Sequence, residues 1–361
     1  MEGRIRIEEH YFTETEKRVL EYDGMSATLF TYPSGVRAVR LDTDRGYVVA
    51  LPYMGQQIWD AGMDGRRLTM GSMFSYPKRT DFFLRTYGCF MMHCGALRMG
   101  GPGPEDNHQL HGELPCAPYR DVDILFGSDT QGSFLGITGL YEYDMAFTAH
   151  YRATPSVTLR KGSTLIDILM HIENRSKYAM ELMYMCHINY RPVDQGRIVQ
   201  SLPWDPGHMV LRTSIPEHIS VSDSFLKFMD QLKEDPSLTA ILKPEDEYNP
   251  EVAIFMNSPG TDSDGLCHFM QVHPDGEADY VGFSPELMDH ATRWIMRTGE
   301  QEALGIALPS TCDPEGYTAE KQKGNIKRIA GGASVILAVK TGVLTRDEAA
   351  AMEKHIESLM K

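Results

Sequence analysis

Two histidines in different sequence settings are the residues of this chain best suited to chemistry. His111 lies in the loop-like run NHQLHGELP, residues 107–115. His187 lies in the run MCHINY, residues 185–190, at the end of an apolar stretch that is typical of a strand. An imidazole has an unperturbed pKa of about 6.5, so it can take up or release a proton near neutral pH. If the fold brings both imidazoles to one site, the sequence predicts acid–base chemistry there.

Further polar residues accompany each histidine and are candidates for binding a substrate. Alternation along a strand places His187 and Asn189 on the same face. Gln57 offers a planar hydrogen-bonding group, and Trp59 and Trp294 offer aromatic platforms, with packing in the core as the alternative for each tryptophan. The other candidates precede or follow the first histidine and are Arg85, His93, Arg98 and Glu113. The alternative for each histidine is a structural role, as a buried side chain bonded to a backbone carbonyl.

The elements that must position these residues are predicted to be short strands. Residues 26–32 and 36–41 alternate in polarity around a Pro-Ser-Gly turn, which is the pattern of a hairpin. Residues 156–160 and 164–173 flank a Lys-Gly-Ser turn in the same way, and residues 180–187 follow as the next strand. Strands at this spacing, without intervening helices, indicate a sandwich or barrel.

Two segments have the pattern of helices. Apolar residues recur at helical spacing from residue 225 to 242, where Pro236 is expected to end the first part. Near the C-terminus, Thr345 and Glu348 have the spacing of a capping box, so a helix is predicted over residues 344–361. We expect a single domain, residues 1–361, with its β core at about residues 20–343.

The composition limits the classes of partner. The 361 residues carry a formal net charge of -15, from 35 basic and 50 acidic residues, which argues against nucleic acid or an anionic membrane as a partner. No run approaches ~18 consecutive apolar residues, so no membrane span is predicted. Six dispersed cysteines without a Cys-x-x-Cys pair are typical of a reducing compartment. We therefore expect a cytoplasmic protein, either a monomer or a homodimer, with a small-molecule partner.

The order of three short motifs gives a resemblance to a known family. Cys94-Gly95-Ala96 is followed by His111-Gly112 and, about 75 residues later, by Cys186-His187-Ile188-Asn189-Tyr190. This order resembles the aldose 1-epimerase, or galactose mutarotase-like, superfamily, and is most similar to a poorly characterised branch of it. The resemblance covers roughly residues 20–343, and the order and spacing of the motifs carry most of its weight.

The resemblance implies a fold, an activity and roles for particular residues. The fold it implies is mainly β: a galactose mutarotase-like β-supersandwich, here with a C-terminal helix. Enzymes of the family interconvert the α and β anomers of a sugar without a cofactor, by acid–base opening of the ring. His187 matches the histidine that protonates the ring oxygen, and His111 matches the histidine that positions sugar hydroxyls. Arg85 or Arg98 matches the arginine that precedes the His-Gly motif.

The general base of the family is the residue that this chain does not match. The family has a glutamate in a C-terminal segment, and the corresponding run here is ALPSTCDPEG, residues 307–316, with Leu308 at the glutamate position. A leucine cannot accept a proton. We expect Asp313 or Glu315 to serve instead, with Glu113 or Glu320 as further alternatives. If no carboxylate replaces Leu308, the protein would bind carbohydrate without catalysis.

A divalent metal is a further alternative for the site. His93, His111, Glu113 and His187 are ligand types that could gather around one ion. Such an ion could polarise a carbonyl and replace the glutamate base, as in a metal-dependent isomerase or lyase acting on a modified sugar. The resemblance itself implies no cofactor, so a metal-free site is the primary expectation.

Overall fold

Strands make up most of the regular structure in the computed structural model, which describes residues 2–214 and 221–360. The strands in these residues are β1 (Glu2–Arg6), β2 (Lys17–Tyr22), β3 (Met25–Thr31), β4 (Arg37–Asp42), β5 (Gly46–Ala50), β6 (Ile58–Met63), β7 (Arg66–Arg67), β8 (Met91–Ala96), β9 (Arg120–Asp129), β10 (Gly132–Met145), β11 (Ala149–Arg160), β12 (Leu165–Asn174), β13 (Met180–Ile188), β14 (Arg197–Gln200), β15 (Met209–Leu211), β16 (Val252–Asn257), β17 (Cys267–Val272), β18 (Ala278–Phe283), β19 (His290–Arg297), β20 (Glu302–Ser310), β21 (Lys327–Ile329) and β22 (Ser334–Leu344). The α-helices are α1 (Asp223–Glu234), α2 (Tyr317–Lys323) and α3 (Arg346–Leu359).

The strands form two large antiparallel sheets. The nine-stranded sheet has the order β1-β9-β10-β11-β12-β22-β18-β17-β14. The thirteen-stranded sheet has the order β15-β16-β19-β20-β13-β8-β6-β5-β4-β3-β2, with β21 paired to β13 and β7 paired to β6. The predicted mainly β sandwich with a C-terminal helix is therefore confirmed.

The two faces of the thirteen-stranded sheet have different surroundings. Along β13, Tyr184 and Cys186 pack in the main core, which also contains apolar side chains of the nine-stranded sheet. Met183 and Met185 alternate with them and belong to a second apolar cluster, made of this sheet and its own loops. We call the surface bearing this second cluster the outer face of the thirteen-stranded sheet. His187 continues the alternation and lies on the outer face.

The predicted elements agree with the structure to within a few residues at most ends. The first predicted hairpin is β3 and β4, and the second is β11 and β12, whose turn contains Gly162 at a φ of 76°. Helix α1 ends at Glu234, two residues before Pro236. Helix α3 begins after Thr345, whose side chain and backbone form the expected capping box with Glu348. No helix in the described residues is both long and apolar enough to cross a membrane.

Candidate active site

His187 lies against aromatic side chains on the outer face. Its side chain is 4% exposed. The ring centroid lies 5.4 Å from that of Trp294, on β19, and 6.1 Å from that of Tyr87. The ring of His111 lies 5.3 Å away, at an interplanar angle of 81°. The two histidines that the sequence singled out are therefore brought to one place.

His111 reaches this place because its loop is bonded to the end of β8. The amide of Gly95 donates to the carbonyl of His111 over 3.0 Å, and the amide of His111 donates to the carbonyl of Gly100 over 3.0 Å. Both His111 and Gly112 have a positive φ, 61° and 81°, which turns the chain back over the sheet. The imidazole of His111 also lies 5.4 Å from the ring of Phe83. Backbone bonds thus place this histidine over the outer face.

Both imidazoles carry a polar atom without a protein partner. Nδ1 of His111 and Nδ1 of His187 are buried and accept or donate no hydrogen bond in the described structure. Burial lowers the pKa of His187 to about 4, against the effect of a hydrogen bond with Asn189. Burial, and then the charge of His187, lower the pKa of His111 to about 3. Both rings are therefore neutral at pH 7, and each has an unused nitrogen that a ligand hydroxyl could satisfy.

Glu251 supplies a carboxylate to this cluster. Its Oε2 accepts a hydrogen bond of 2.6 Å from Nε1 of Trp294, and its Oε1 accepts one from Nη2 of Arg212. Burial raises the pKa of Glu251, but the charge and hydrogen bond of Arg212 and the Trp294 hydrogen bond outweigh it, so the pKa is lowered. The negative charge of Glu251 in turn raises the pKa of His111 against burial. An ionised carboxylate therefore lies close enough to His111 to affect its pKa.

Sequence reasoning missed Glu251 and Arg212. Glu251 immediately precedes β16, and Arg212 follows β15, whose strand pairs with β16. Neither residue belongs to a recognisable motif, and Glu251 is 64 positions from His187 in the chain, so sequence offered no signal for either. Trp294 was proposed as an aromatic platform, and it lies between Glu251 and His187.

Asn189 and Gln57 hold the surroundings of the site in place. The amide oxygen of Asn189 accepts a hydrogen bond of 3.2 Å from the hydroxyl of Tyr87, and its amide nitrogen donates to the carbonyl of Cys89 over 3.0 Å. The amide nitrogen of Gln57 donates over 2.7 Å to the carbonyl of Pro115, at the end of the His111 loop. Through these contacts Asn189 and Gln57 hold Tyr87 and the His111 loop, and their predicted role in substrate binding stays a prediction.

His93 and Glu113 do not join the histidine pair. His93 pairs with Cys186 across β8 and β13, so it shares the inward face of the sheet, where its Nδ1 lies 2.7 Å from the hydroxyl of Tyr184. One oxygen of Glu113 accepts hydrogen bonds from two backbone amides and, over 2.6 Å, from the hydroxyl of Tyr151. The predicted substrate-binding role of His93 does not fit its inward direction. The role of Glu113 stays a prediction, because the contacts above use only one of its two carboxylate oxygens.

The two arginines proposed for the site lie away from the histidine pair. Arg85 is exposed at the end of a short 3₁₀ turn, Phe83–Arg85, and Phe83 is the residue of that turn that contacts His111. The guanidinium of Arg98 lies 3.6 Å from the ring centroid of Tyr317 and donates to the carbonyl of Leu97. Neither arginine contacts the histidine pair in the described residues.

The carboxylates expected to replace the base form a separate ionic cluster. Nζ of Lys323 donates to Asp313 over 2.9 Å, to Glu320 over 2.8 Å, and to Glu315. Leu308 is 2% exposed and packs in the apolar cluster of the outer face. Both carboxylates are paired with this lysine, and neither contacts the histidine pair in the described residues, so the geometry gives no support to the prediction of Asp313 or Glu315 as the base.

The alternative metal site is not assembled. In residues 2–214 and 221–360, three groups of His, Cys, Asp or Glu side chains place three ligand atoms within 4.8 Å of one another. None of these groups contains a member of the proposed set, which was His93, His111, Glu113 and His187. The inward direction of His93 is the physical reason.

The two stacked antiparallel sheets with this strand order define the galactose mutarotase-like fold. A Klebsiella pneumoniae structure provisionally named as an aldose 1-epimerase superposes with a TM-score of 0.81 at 15% identity, over 100% of this chain and 96% of that one. A galactose mutarotase-like protein from Clostridium acetobutylicum superposes with a TM-score of 0.57 at 10% identity, over 92% and 98% of the two chains. At these identities the likeness establishes the fold.

The sequence itself has one match among the protein families. Residues 33–196, somewhat less than half of the chain, match the family described as Domain of unknown function (DUF4432). None of the curated proteins matches the chain. The matched segment contains both histidines of the site.

Proposed function

We propose that the protein binds a sugar on the outer face of the thirteen-stranded sheet and interconverts its anomers by acid–base opening of the ring. The observation that carries this proposal is the pair of buried imidazoles, His111 and His187, each with an unpartnered nitrogen, beside the ionised carboxylate of Glu251. The fold shared with mutarotase-like proteins supports a sugar as the ligand.

The proposed reaction needs one base and one acid and no cofactor. Glu251 accepts the proton of the anomeric hydroxyl while the C1–O5 bond breaks and the O–H electron pair forms the C1 carbonyl. His187 gives its proton to the ring oxygen. The carbonyl rotates about the C1–C2 bond, and the reverse proton transfers close the ring on its other face. His111 binds a hydroxyl of the sugar and holds it between the two groups.

The surroundings of the three groups favour this assignment. The indole of Trp294 holds one oxygen of Glu251 at 2.6 Å, and Arg212 holds the other, so the carboxylate has a fixed direction. The rings of Trp294, Tyr87 and Phe83 are buried around the histidine pair and hold the two imidazoles in position. His111 and Glu251 are both partly exposed, so a ligand can approach from their side of the cluster.

A second function is favoured by one specific observation. At a pKa of about 4, only about one molecule in a thousand carries a protonated His187 at pH 7. A site of neutral imidazoles is well suited to hydrogen-bond a sugar but is poor at proton donation. The alternative is therefore a carbohydrate-binding protein on the same fold, with little or no catalysis.

Magnetisation-transfer NMR on a panel of free aldoses separates the two functions. The enzyme hypothesis predicts exchange between the α and β anomers faster than in buffer, and a fall of about 100-fold or more in the His187→Asn variant. The matched control is His150→Asn, which changes an exposed histidine of the nine-stranded sheet. Sugar binding by calorimetry without accelerated exchange would reject the enzyme and support the binding protein. Equal exchange rates in the His187→Asn variant and the wild type would reject His187 as the acid.

A further inference from the structure

A second group of ligand-type side chains lies on the nine-stranded sheet, away from the histidine pair. Asp262 belongs to the turn before β17, His268 to β17, and His355 to helix α3. Oδ2 of Asp262 lies 3.0 Å from Nε2 of His268 and 3.6 Å from Nε2 of His355. Two segments that are distant in sequence, the turn and strand at residues 262–268 and helix α3, thus supply three ligand-type atoms that all lie within 4.8 Å of one another.

These separations fit the edges of a tetrahedral metal site. Zinc binds imidazole nitrogen and carboxylate oxygen at about 2.0–2.1 Å, which places neighbouring ligand atoms about 3.3 Å apart. The two observed distances, 3.0 and 3.6 Å, bracket that value. Imidazole nitrogens also favour Zn²⁺ and related transition metals over Mg²⁺ and Ca²⁺, which prefer oxygen alone.

The partners of the group orient its atoms as metal ligands require. The other oxygen of Asp262 accepts hydrogen bonds of 2.9 Å from the amides of Asp264 and Leu266, which leaves Oδ2 directed at the histidines. Nδ1 of His268 lies 2.8 Å from the hydroxyl of Tyr280, a contact that can fix the ring with Nε2 as a lone-pair donor. Such outer contacts accompany the histidines of metal sites in general.

The exposure of the group also suits a metal. His268 is 3% exposed, whereas the side chain of His355 is 42% exposed. The solvent side, at His355, leaves room for a water molecule as a fourth ligand.

We propose that Asp262, His268 and His355 bind a divalent transition metal of the Zn²⁺ class and that this metal fastens helix α3 to the nine-stranded sheet. The helix packs on that sheet through Ala349 and Ile356. A bond from His355 to the metal adds a polar link beside Ile356. The proposal is independent of the sugar site, which uses other residues on the other sheet.

The test uses the full chain after treatment with a chelator. Calorimetry with ZnCl₂ should show that one Zn²⁺ ion binds tightly per chain. Free Zn²⁺ at about 100 times its Kd should raise the Tm by about 3 °C or more. Co²⁺ should give the visible absorption of a four-coordinate ion, and Mg²⁺ should have no effect. The His355→Ala variant should bind Zn²⁺ about 10-fold or more weakly, because it loses one of three protein ligands.

The matched control is His150→Ala, because His150 belongs to another cluster, with Glu142 and Asp144, on the same sheet. Its Zn²⁺ affinity should equal that of the wild type. Three results would overturn the proposal: no tight Zn²⁺ or Co²⁺ binding, unchanged binding in His355→Ala, or loss of binding in His150→Ala. His355 is largely solvent-facing, so its replacement tests the site without emptying the core.

Discussion

At the scale of single residues, Glu251 supplies the carboxylate that Leu308 cannot supply. The leucine occupies the sequence position at which the family resemblance leads one to expect a base, and it is buried among apolar side chains. Glu251, the residue before β16, brings a carboxylate to the same outer face, and Trp294 and Arg212 hold it there. A carboxylate that is missing at one sequence position can therefore be supplied to the same face of the sheet by a residue that is remote in sequence.

The Glu251→Gln variant tests this replacement. Glutamine keeps an oxygen that can accept the hydrogen bond of Trp294, so we expect the fold to survive, but it cannot take a proton. Anomer exchange should fall by about 100-fold or more, mainly in kcat. Glu315→Gln is the control, because it removes a carboxylate that is paired with Lys323 instead. Loss of exchange in Glu315→Gln with full activity in Glu251→Gln would contradict the assignment.

The low pKa of His187 predicts an unusual pH dependence of catalysis. The acid must carry its proton, and burial has lowered its pKa to about 4, whereas Glu251 remains ionised because its pKa is also lowered. As pH falls from 7 to 5, kcat/KM should therefore rise, approaching tenfold per pH unit. A series of kcat/KM measurements at constant ionic strength checks this slope. A rate that is flat across this range, or that is highest near pH 7, would exclude protonated His187 in the free enzyme as the acid.

At the scale of elements, sequence predicted the strands better than the directions of their side chains. Alternation predicted β3, β4, β12 and β13 nearly to their ends, because each has one face against an apolar core, but it found only the last five residues of β11. It could not show that His93 faces away from His187. That outcome depends on register: His93 lies opposite Cys186 on β13, and residues directly opposite in a sheet share a face.

Short and irregular elements were the least predictable from sequence. Helix α2 has seven residues, too few for a clear apolar pattern. Its Glu320 is buried and accepts a hydrogen bond from Lys323. The loop that carries His111 has no periodic pattern at all. Its path depends on positive φ angles and on hydrogen bonds to Gly95, which only the folded sheet provides.

The loop geometry predicts that Gly112→Ala displaces His111. A Cβ at this position would lie 1.9 Å from the carbonyl oxygen of Arg98, and the φ of 81° is unfavourable for alanine. The variant should lose stability by about 1–3 kcal/mol and lose most sugar binding. Gly101→Ala is the matched control in the same loop, since its Cβ would meet no atom within 4 Å. Urea unfolding and calorimetry measure both effects, and equal behaviour of the two variants would refute this role for Gly112.

At the scale of the whole molecule, the fold buries ionisable rings on both sides of one sheet. Burial lowers the pKa of His93, inside the main core, to about 3. The pKa values of His111 and His187, on the outer face, are lowered to about 3 and about 4. All three rings are neutral in the folded protein at pH 7, and unfolding would return each of them to a pKa of about 6.5.

These shifts predict that the protein loses stability on mild acidification. Below pH 6.5 the unfolded chain binds protons at these three histidines, whereas the folded chain does not until pH reaches about 4 or 3. The free energy of unfolding should therefore fall as pH decreases from 6.5 to 5, by up to about 1.4 kcal/mol per pH unit for each ring. Carboxylates with lowered pKa values, such as Glu251, act below this window. Urea unfolding at several pH values measures how the free energy of unfolding changes with pH. In the His187→Asn variant this slope should be smaller by about 1.4 kcal/mol per pH unit, because one titrating ring is absent. A free energy of unfolding that stays constant from pH 6.5 to 5 would show that the rings are not buried as neutral groups.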